Sequence, residues 1–307
     1  MGRILLTLVA LALAAAPSGS AHGEASVVKG DLKCGEESDC YISDMEIHGE
    51  IDNATVEQVS KRLEDLHKVA DALKKPIHPF KVVLDSPGGS VSAAMKIGRL
   101  LRRENMGAEI AMKYPPGEGR CVSACVLIYA GAIHRSFDQP RFSKLGIHRP
   151  YLEVPKQDLS SGKLQDAYRQ TLEDVRAYMR EMNVSERLAE AMFRIEPEKV
   201  RFLSREAAQA YGLTEWDPVY NEMADLEEAK KLGLNRQMFM ERRKQALSGC
   251  QWLKPSINEP IERWRNCYDG VMTGTRPAPV YVAPRGAPDF SSFGEPVDPL
   301  NWKRYPF

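Results

Sequence analysis

The chain has 307 residues, with 42 basic and 42 acidic side chains and an apolar fraction of 43%. This length fits one domain of about 200–250 residues with appendages, or two small domains. Because the net charge is zero, no strong basic field draws nucleic acid or an anionic membrane. The sequence contains no Walker loop, no G-x-G-x-x-G turn and no internal repeat. We therefore expect no ATPase, no nucleic-acid partner and no multi-span membrane protein.

Residues 1–21 have the pattern of a cleavable secretory signal. Arg3 supplies the positive start, residues 4–16 are apolar or small except for Thr7, and cleavage is expected after Ala21. As a helix the apolar run is about 20 Å long, which is short for a bilayer span. An uncleaved membrane anchor is the alternative. The pattern predicts a periplasmic or secreted protein.

Six cysteines follow this segment, and an even count suggests disulfides in an oxidising compartment. By sequence they form three local couples: Cys34 with Cys40, Cys121 with Cys125, and Cys250 with Cys267. Six cysteines allow fifteen pairings, so the grouping is a hypothesis. A zinc site is the rival interpretation. Since no C-x-x-C pair occurs and the couples lie far apart in the sequence, we expect no metal.

Strand and helix patterns alternate between about residues 40 and 150, after a loose lead-in over 22–39. The predicted strands are 41–51, 80–84, 108–112 and 145–147, and the predicted helices are 53–75, 91–101 and 121–130. Such alternation indicates βαβ units with right-handed crossovers, and hence an α/β fold with a parallel sheet.

Beyond Arg149 the sequence becomes charged and helical. The predicted helices are 156–182, one capped by Ser185, one capped by Ser204 and closed by Gly212, and a helix or helix pair over 223–247. Seven prolines after Thr273 indicate an irregular or disordered tail. We therefore divide the mature chain into the lead-in, a domain over 40–220, a helical extension over 221–272 and a proline-rich tail over 273–307.

Three segments carry candidate chemistry. The turn D-S-P-G-G-S-V at 85–91 has paired glycines that let backbone amides face outward, as an oxyanion hole requires, although it is also an ordinary turn sequence. Ser123 lies at the start of an apolar helix, where it is either a nucleophile or a cap. His148 ends a predicted strand, where it is either a general base or a packed side chain.

Taken in order, these segments resemble the Clp protease proteolytic subunit (ClpP) within the crotonase-like superfamily. The stretch D-S-P-G-G-S-V-S-A-A-M-K-I is similar to the family's turn and following helix. Ser123 falls at the nucleophile position, and His148 follows it by 25 residues, which is the family spacing. Residues 201–213, R-F-L-S-R-E-A-A-Q-A-Y-G-L, resemble the family's closing helix. The likeness covers about residues 40–218.

The resemblance implies a ClpP/crotonase-like α/β fold and serine peptidase activity on a peptide or protein, without a cofactor. By position, Ser123 is the nucleophile and His148 is the general base. The backbone N–H groups of Gly89 and Ala124 form the oxyanion hole.

One position departs from the family pattern. The orienting aspartate that directly precedes R-F-L-S is replaced here by Val200, which cannot accept a hydrogen bond from imidazole. Glu198 is the tentative third member, with Glu196, a backbone carbonyl or water as alternatives. Loss of this carboxylate can cost on the order of 10⁴ in rate. A catalytically silent ClpP-like binding or scaffold protein is therefore the alternative function.

The predicted export also bears on partners. A cytosolic unfoldase is absent outside the membrane, so we expect proteolysis without ATP. The family's glycine-rich strand is replaced by residues 151–156, so barrel assembly is not implied and homo-oligomerisation stays open. A crotonase-type acyl-CoA enzyme fits poorly with export, where coenzyme A is not expected. A Ser–Lys peptidase with Lys144 as base is a variant of the leading hypothesis.

Overall fold

The computed structural model describes residues 26–28, 32–34, 40–42, 45–74, 77–78, 81–111, 119–137, 142–151, 161–250, 262–277 and 279. The strands in these ranges are β1 Ser26–Val28, β2 Leu32–Cys34, β3 Cys40–Ile42, β4 Met45–Ile51, β5 Ile77–His78, β6 Lys81–Gly89, β7 Gly107–Ile110, β8 Gly119–Val122, β9 His134–Ser136, β10 Ser143–Ile147, β11 Arg201–Phe202 and β12 Glu215–Trp216. The helices are α1 Asn53–Leu73, α2 Val91–Arg103, α3 Cys125–Gly131, α4 Ser161–Glu181, α5 Arg187–Phe193, α6 Arg205–Ala210, α7 Pro218–Lys231, α8 Arg236–Cys250 and α9 Glu262–Thr273.

Most strands form one large sheet. Its path is β11-β10-β8-β6-β7-β9-β12, with β4 also paired to β6 and β1 to β4. The inner pairs are parallel, whereas β1, β11 and β12 pair antiparallel with their neighbours. A small separate sheet contains β2, β3 and β5. The predicted α/β class with a mostly parallel sheet is confirmed.

The central strand β6 changes its pairing partner on one side along its length. Its first half, at Val82–Leu84, pairs with β7, whereas Ser86 pairs with Cys121 of β8. The sequence predicts a strand that ends before the D-S-P-G-G turn, but β6 continues to Gly89 because β4 remains beside it as far as Ile51. This extension brings both glycines to the end of the sheet where β8 also ends.

The segment around Ser123 also differs from the predicted helix over 121–130. Cys121 and Val122 belong to β8, where they pair in parallel with Leu145 and Gly146 of β10. The helix α3 begins only at Cys125. Apolar residues alone do not separate a buried strand from a buried helix. The available partner strand decides the conformation here.

The helices lie much where their patterns predict. Helix α1 begins at a capping box in which Asp52 accepts from the Thr55 N–H, so the cap is Asp52 and not Asn53 or Thr55. Ser204 caps α6 as predicted, and Gly212 follows with a φ of 78°. Helix α5 is entered at Glu186 without a side-chain cap, so Ser185 does not cap it.

A buried ionic network joins β9, α2 and the start of α7. Asp217 accepts hydrogen bonds from Arg102 at 2.9 Å and from the Asn183 amide at 3.1 Å, and Arg135 lies 3.6 Å away. Burial opposes the ionisation of Asp217, but hydrogen bonds from the Tyr220 N–H, Arg102 and Asn183 hold its pKa below the ordinary value. Burial lowers the pKa of Arg135 to about 10. The network fixes the end of the sheet to the helices that follow.

The last three helices have an apolar cluster of their own. It contains Ala229, Phe239, Ala246, Cys250, Trp264, Cys267, Tyr268, Val271 and Met272. Cys250 is bonded to Cys267 and so joins α8 to α9. Helices α7 to α9 lie mostly within the predicted extension over 221–272, with α7 beginning at Pro218 and α9 ending at Thr273; the division of the chain into domains stays a prediction.

Two of the three predicted cysteine couples are bonded, Cys121 with Cys125 and Cys250 with Cys267. Cys34 and Cys40 are register partners of β2 and β3, and their bond stays a prediction. The strands β1 and β2 lie within the segment expected to be a loose lead-in. The predicted signal over 1–21 and almost all of the predicted tail lie outside the described residues. Within the described part of the chain, no helix is long and apolar enough to cross a membrane.

Candidate active site

Ser123 occupies a tight turn between β8 and α3. Its φ is 57°, and only 7% of the residue is exposed. Its backbone N–H donates to the Gly146 carbonyl at 2.9 Å, and its carbonyl accepts from the Val126 N–H at 3.0 Å. A positive φ at a residue with a side chain costs on the order of 1–3 kcal/mol and persists only where neighbours enforce it. The Ser123 backbone is therefore held in an unfavourable conformation by its surroundings.

The disulfide between Cys121 and Cys125 encloses this turn. It joins a residue of β8 to the first residue of α3, and both cysteines are fully buried. The covalent bond thus restrains both ends of the three-residue segment that has Ser123 at its centre.

The glycine turn of β6 lies directly against Ser123. A Cβ atom placed on Gly88 would lie 2.7 Å from the Ser123 Cβ and 3.1 Å from the Ala124 nitrogen, and one placed on Gly89 would lie 2.1 Å from the Ile51 carbonyl oxygen. Both glycines also have positive φ, 110° and 140°. Only glycine permits this approach between the two turns.

Ser86 holds the glycine turn in place. Its hydroxyl donates to the Gly49 carbonyl at 2.6 Å and accepts from the Gly88 N–H at 3.0 Å. The Gly88 N–H is therefore already bonded. By contrast, the Ala124 N–H has no hydrogen-bond partner among the described residues. The sequence did not predict that Ser86 holds the turn. Its position directly before Pro-Gly-Gly is the signal that could have pointed to it.

His148 directly follows β10 and is buried, with 6% exposed. The parallel register pairs Val122 with Gly146, so Ser123 and His148 follow the carboxyl ends of neighbouring strands. In open α/β sheets, ligands bind in the crevice outside such strand ends. The glycine turn, Ser123 and His148, which are far apart in sequence, thus lie at the same carboxyl-terminal end of the parallel strands.

The His148 Nδ1 atom lies 2.8 Å from the carbonyl oxygen of Arg149. Because a carbonyl oxygen only accepts, Nδ1 must carry the proton. In the neutral ring, Nε2 is then an unprotonated acceptor. Tyr151 lies edge-on to the imidazole, with ring centroids 5.9 Å apart. Sequence reasoning named a backbone carbonyl only as one alternative, and no side-chain pattern identifies it.

No hydrogen bond or ion pair joins the predicted third member, Glu198, to His148. Glu198 is exposed, and Glu196 pairs with Lys199 at 2.7 Å, an ion pair that lowers the pKa of Glu196. The antiparallel register of β10 and β11 pairs Ile147 with Arg201, so its continuation puts Val200 opposite His148. Val200 is 42% exposed. The partner observed on the imidazole is a carbonyl and not a carboxylate.

No hydrogen bond of the Ser123 hydroxyl is recorded with any described residue. Catalytic hydrogen bonds are often long or poorly aligned without substrate, so this geometry alone does not decide the role. Over the described ranges, no group of three or more His, Cys, Asp or Glu side chains is arranged to hold a metal ion.

The similarities to known proteins come from solved structures. No family model matches the chain, and no curated protein matches it. Among solved structures, it is similar to a mutant of the 1510-N membrane-bound stomatin-specific protease, at 21% identity over 55% of this chain and 75% of that one, with a TM-score of 0.37. It is also similar to a mutant of ClpP1 from Listeria monocytogenes, at 19% identity over 56% and 88%, again with a TM-score of 0.37. Likeness at this level concerns the fold alone.

Proposed function

We propose that the protein is an exported serine hydrolase, a peptidase that acts without an ATP-driven unfoldase. The observation that carries the proposal is the position of Ser123, in an enforced turn beside two glycines with positive φ. It is next to the Ala124 N–H, which has no hydrogen-bond partner among the described residues. Acyl transfer needs backbone donors beside the nucleophile, and strained backbone is common at active sites.

The proposed reaction begins with attack of the Ser123 Oγ on the carbonyl carbon of a peptide. His148 Nε2 takes the hydroxyl proton and then donates it to the leaving amine. The N–H groups of Gly89 and Ala124 stabilise the negative oxygen of the tetrahedral intermediate. Water, activated by the same imidazole, then hydrolyses the acyl-enzyme. The hydrogen bond from Nδ1 to the Arg149 carbonyl supports the tautomer that this sequence of steps needs.

A carbonyl orients imidazole but stabilises imidazolium less than a carboxylate does. We therefore expect a hydrolase that is slower than one with an aspartate in that place. Lys144 is less well placed than His148 to take the Ser123 proton. It is level with Arg120 in the β8–β10 register, three residues and about 10 Å along the strand from Ser123.

The proposal is tested with a fluorophosphonate probe on the intact mature protein. We expect labelling of the native protein, its loss in Ser123→Ala, and a large reduction in His148→Ala. Ser248→Ala removes an exposed hydroxyl elsewhere and should label like the native protein. Cleavage of a fluorogenic peptide library then separates a peptidase from an esterase. If the native and Ser123→Ala proteins label equally, the proposal is wrong.

A catalytically silent binding protein is the second candidate. Two observations favour it: Val200 in place of a carboxylate, and no recorded hydrogen bond on the Ser123 hydroxyl within the described residues. This candidate predicts no covalent adduct, and a Ser123→Ala variant that binds partner peptides as tightly as the native chain does.

Export is part of the proposal. Two disulfides fit an oxidising compartment. Mass spectrometry of the protein recovered from its producing cells tests this, with a mature N-terminus at His22 as the expected result. Recovery of a chain that retains residues 1–21 in the cytosol would contradict it.

A further inference from the structure

A second cleft lies behind the edge strand β11, between α5 and α6. Its volume is about 630 Å³, within the range of pockets that hold small ligands. Arg187, Arg194 and Arg201 line it, together with the apolar side chain of Ile195 and the ring of Tyr211. Val200 and Arg201 are successive residues of an extended segment, so their side chains point to opposite faces. The cleft is therefore separate from the crevice that holds Ser123.

The charges in this cleft are unbalanced. No ion pair or side-chain hydrogen bond is recorded for Arg187 or Arg201 among the described residues. Arg194 lies 4.0 Å from Glu190 and is largely exposed, while Glu190 also binds Arg176 at 3.0 Å. Three cationic side chains thus line one cavity, and Glu190 is the one acidic side chain among the described residues that line it.

The backbone around this cleft is well fixed. The Arg149 N–H donates to the Ile195 carbonyl at 3.0 Å, the Ser185 N–H donates to the Tyr211 carbonyl at 3.0 Å, and β11 is paired with β10. Guanidinium groups bind planar or tetrahedral oxyanions through paired N–H donors. In this fixed cavity, Arg187 and Arg201 have no ion-pair partner among the described residues, and one wall is apolar. The cavity therefore suits a ligand with an anionic end and a small apolar body.

We infer that this cleft binds an anionic group, a carboxylate or a phosphate, on a ligand with a small apolar body. The inference does not depend on catalysis at Ser123. It is tested in the full-length mature Ser123→Ala chain, so that hydrolysis cannot be mistaken for binding.

The probes are 3-phenylpropionate, phenyl phosphate and inorganic phosphate, and neutral 3-phenylpropanol is the matched control. Isothermal titration calorimetry measures the affinity of each probe. We expect the two aromatic anions to bind more tightly than inorganic phosphate, and the alcohol not to bind. Binding should weaken as salt screens the charges. The tighter of the two aromatic anions identifies carboxylate or phosphate as the preferred group.

Three variants test whether the anion binds in this cleft. Arg187→Gln/Arg201→Gln should weaken anion binding by at least about tenfold, since each removes a charge-assisted hydrogen bond. Arg263→Gln removes one positive charge at an exposed position of α9, away from the cleft, and should leave binding unchanged. Glu190→Gln should strengthen binding. If neither aromatic anion binds, or if the double variant binds as tightly as its parent, the inference is overturned.

Discussion

The imidazole of His148 and the carbonyl of Arg149 are hydrogen-bonded at 2.8 Å, so the residue next in sequence fixes the orientation of the histidine ring. This local bond supplies the tautomer that a general base needs, without any carboxylate. It does not supply the negative charge that would stabilise imidazolium when the Ser123 proton is transferred. The proposed site thus has an oriented imidazole but lacks the negative charge beside it.

Replacing Val200 with aspartate should strengthen the site. Val200 lies opposite His148 in the continued register of β10 and β11, and residues directly opposite are about 4.5–5.5 Å apart at Cβ. A carboxylate there favours imidazolium, so we expect the rate of fluorophosphonate labelling to rise about tenfold or more. Phe202→Asp adds the same charge two residue pairs away, opposite Gly146, and is the matched control. Equal rates for the two variants would contradict this geometry.

Gly88→Ala should disable the site. The added methyl group would lie 2.7 Å from the Ser123 Cβ and 2.8 Å from the Val122 carbonyl oxygen, at a φ of 110° that alanine rarely adopts. The turns must separate, so we expect labelling to fall at least about tenfold and the melting temperature to drop. Gly162→Ala, where the new methyl group meets nothing within 4 Å, should keep native labelling. Native labelling in Gly88→Ala would show that the contact between the turns is unimportant.

Removing the Cys121–Cys125 bond should affect activity as well as stability. In the chain-entropy model, a cross-link that closes a loop of about five residues raises the free energy of unfolding by about 2 kcal/mol. In Cys121→Ala/Cys125→Ala the Ser123 turn loses its covalent restraint, so we expect labelling to fall about tenfold. Cys250→Ala/Cys267→Ala should lower the free energy of unfolding by about 3 kcal/mol, because this bond closes a longer loop. The variant should nevertheless be labelled at the native rate. Urea unfolding and labelling rates measure both effects, and equal labelling losses would contradict a specific role for the first bond.

Asp217→Asn should destabilise the protein at neutral pH by about 3–5 kcal/mol, because Arg135 then stays buried without its counter-charge. The folded state lowers the pKa of Asp217, so its stabilisation is fully present above the unfolded value of about 3.9. It is lost as the pH falls through the lower folded value.

The native protein should therefore lose more stability on acidification than Asp217→Asn does. Urea unfolding between pH 7 and pH 3 measures the difference. Glu222→Gln is the control: it breaks an exposed ion pair with Arg236 and should lower the free energy of unfolding by at most about 1 kcal/mol. Parallel acid profiles for the native and Asp217→Asn proteins would refute the assignment.

The α/β class and most helices were predictable from sequence because they depend on local signals. Apolar spacing predicts α1, and Ser204 with Gly212 bounds the α6 turn. Two of the cysteine couples also pair as neighbours in sequence. The order of the glycine turn, Ser123 and His148 was readable in the same way, because each segment has a distinctive composition.

Other features depend on contacts between distant segments, which local composition does not encode. Cys121 and Val122 are strand and not helix because β10 lies beside them. The positive φ of Ser123, the engagement of Ser86 with Gly49 and the carbonyl partner of His148 all arise from backbone groups, which every residue possesses. Sequence alone thus determined which side chains are available for chemistry. The tertiary structure decided their conformations and hydrogen-bond partners, because backbone donors and acceptors are matched only when the sheet assembles.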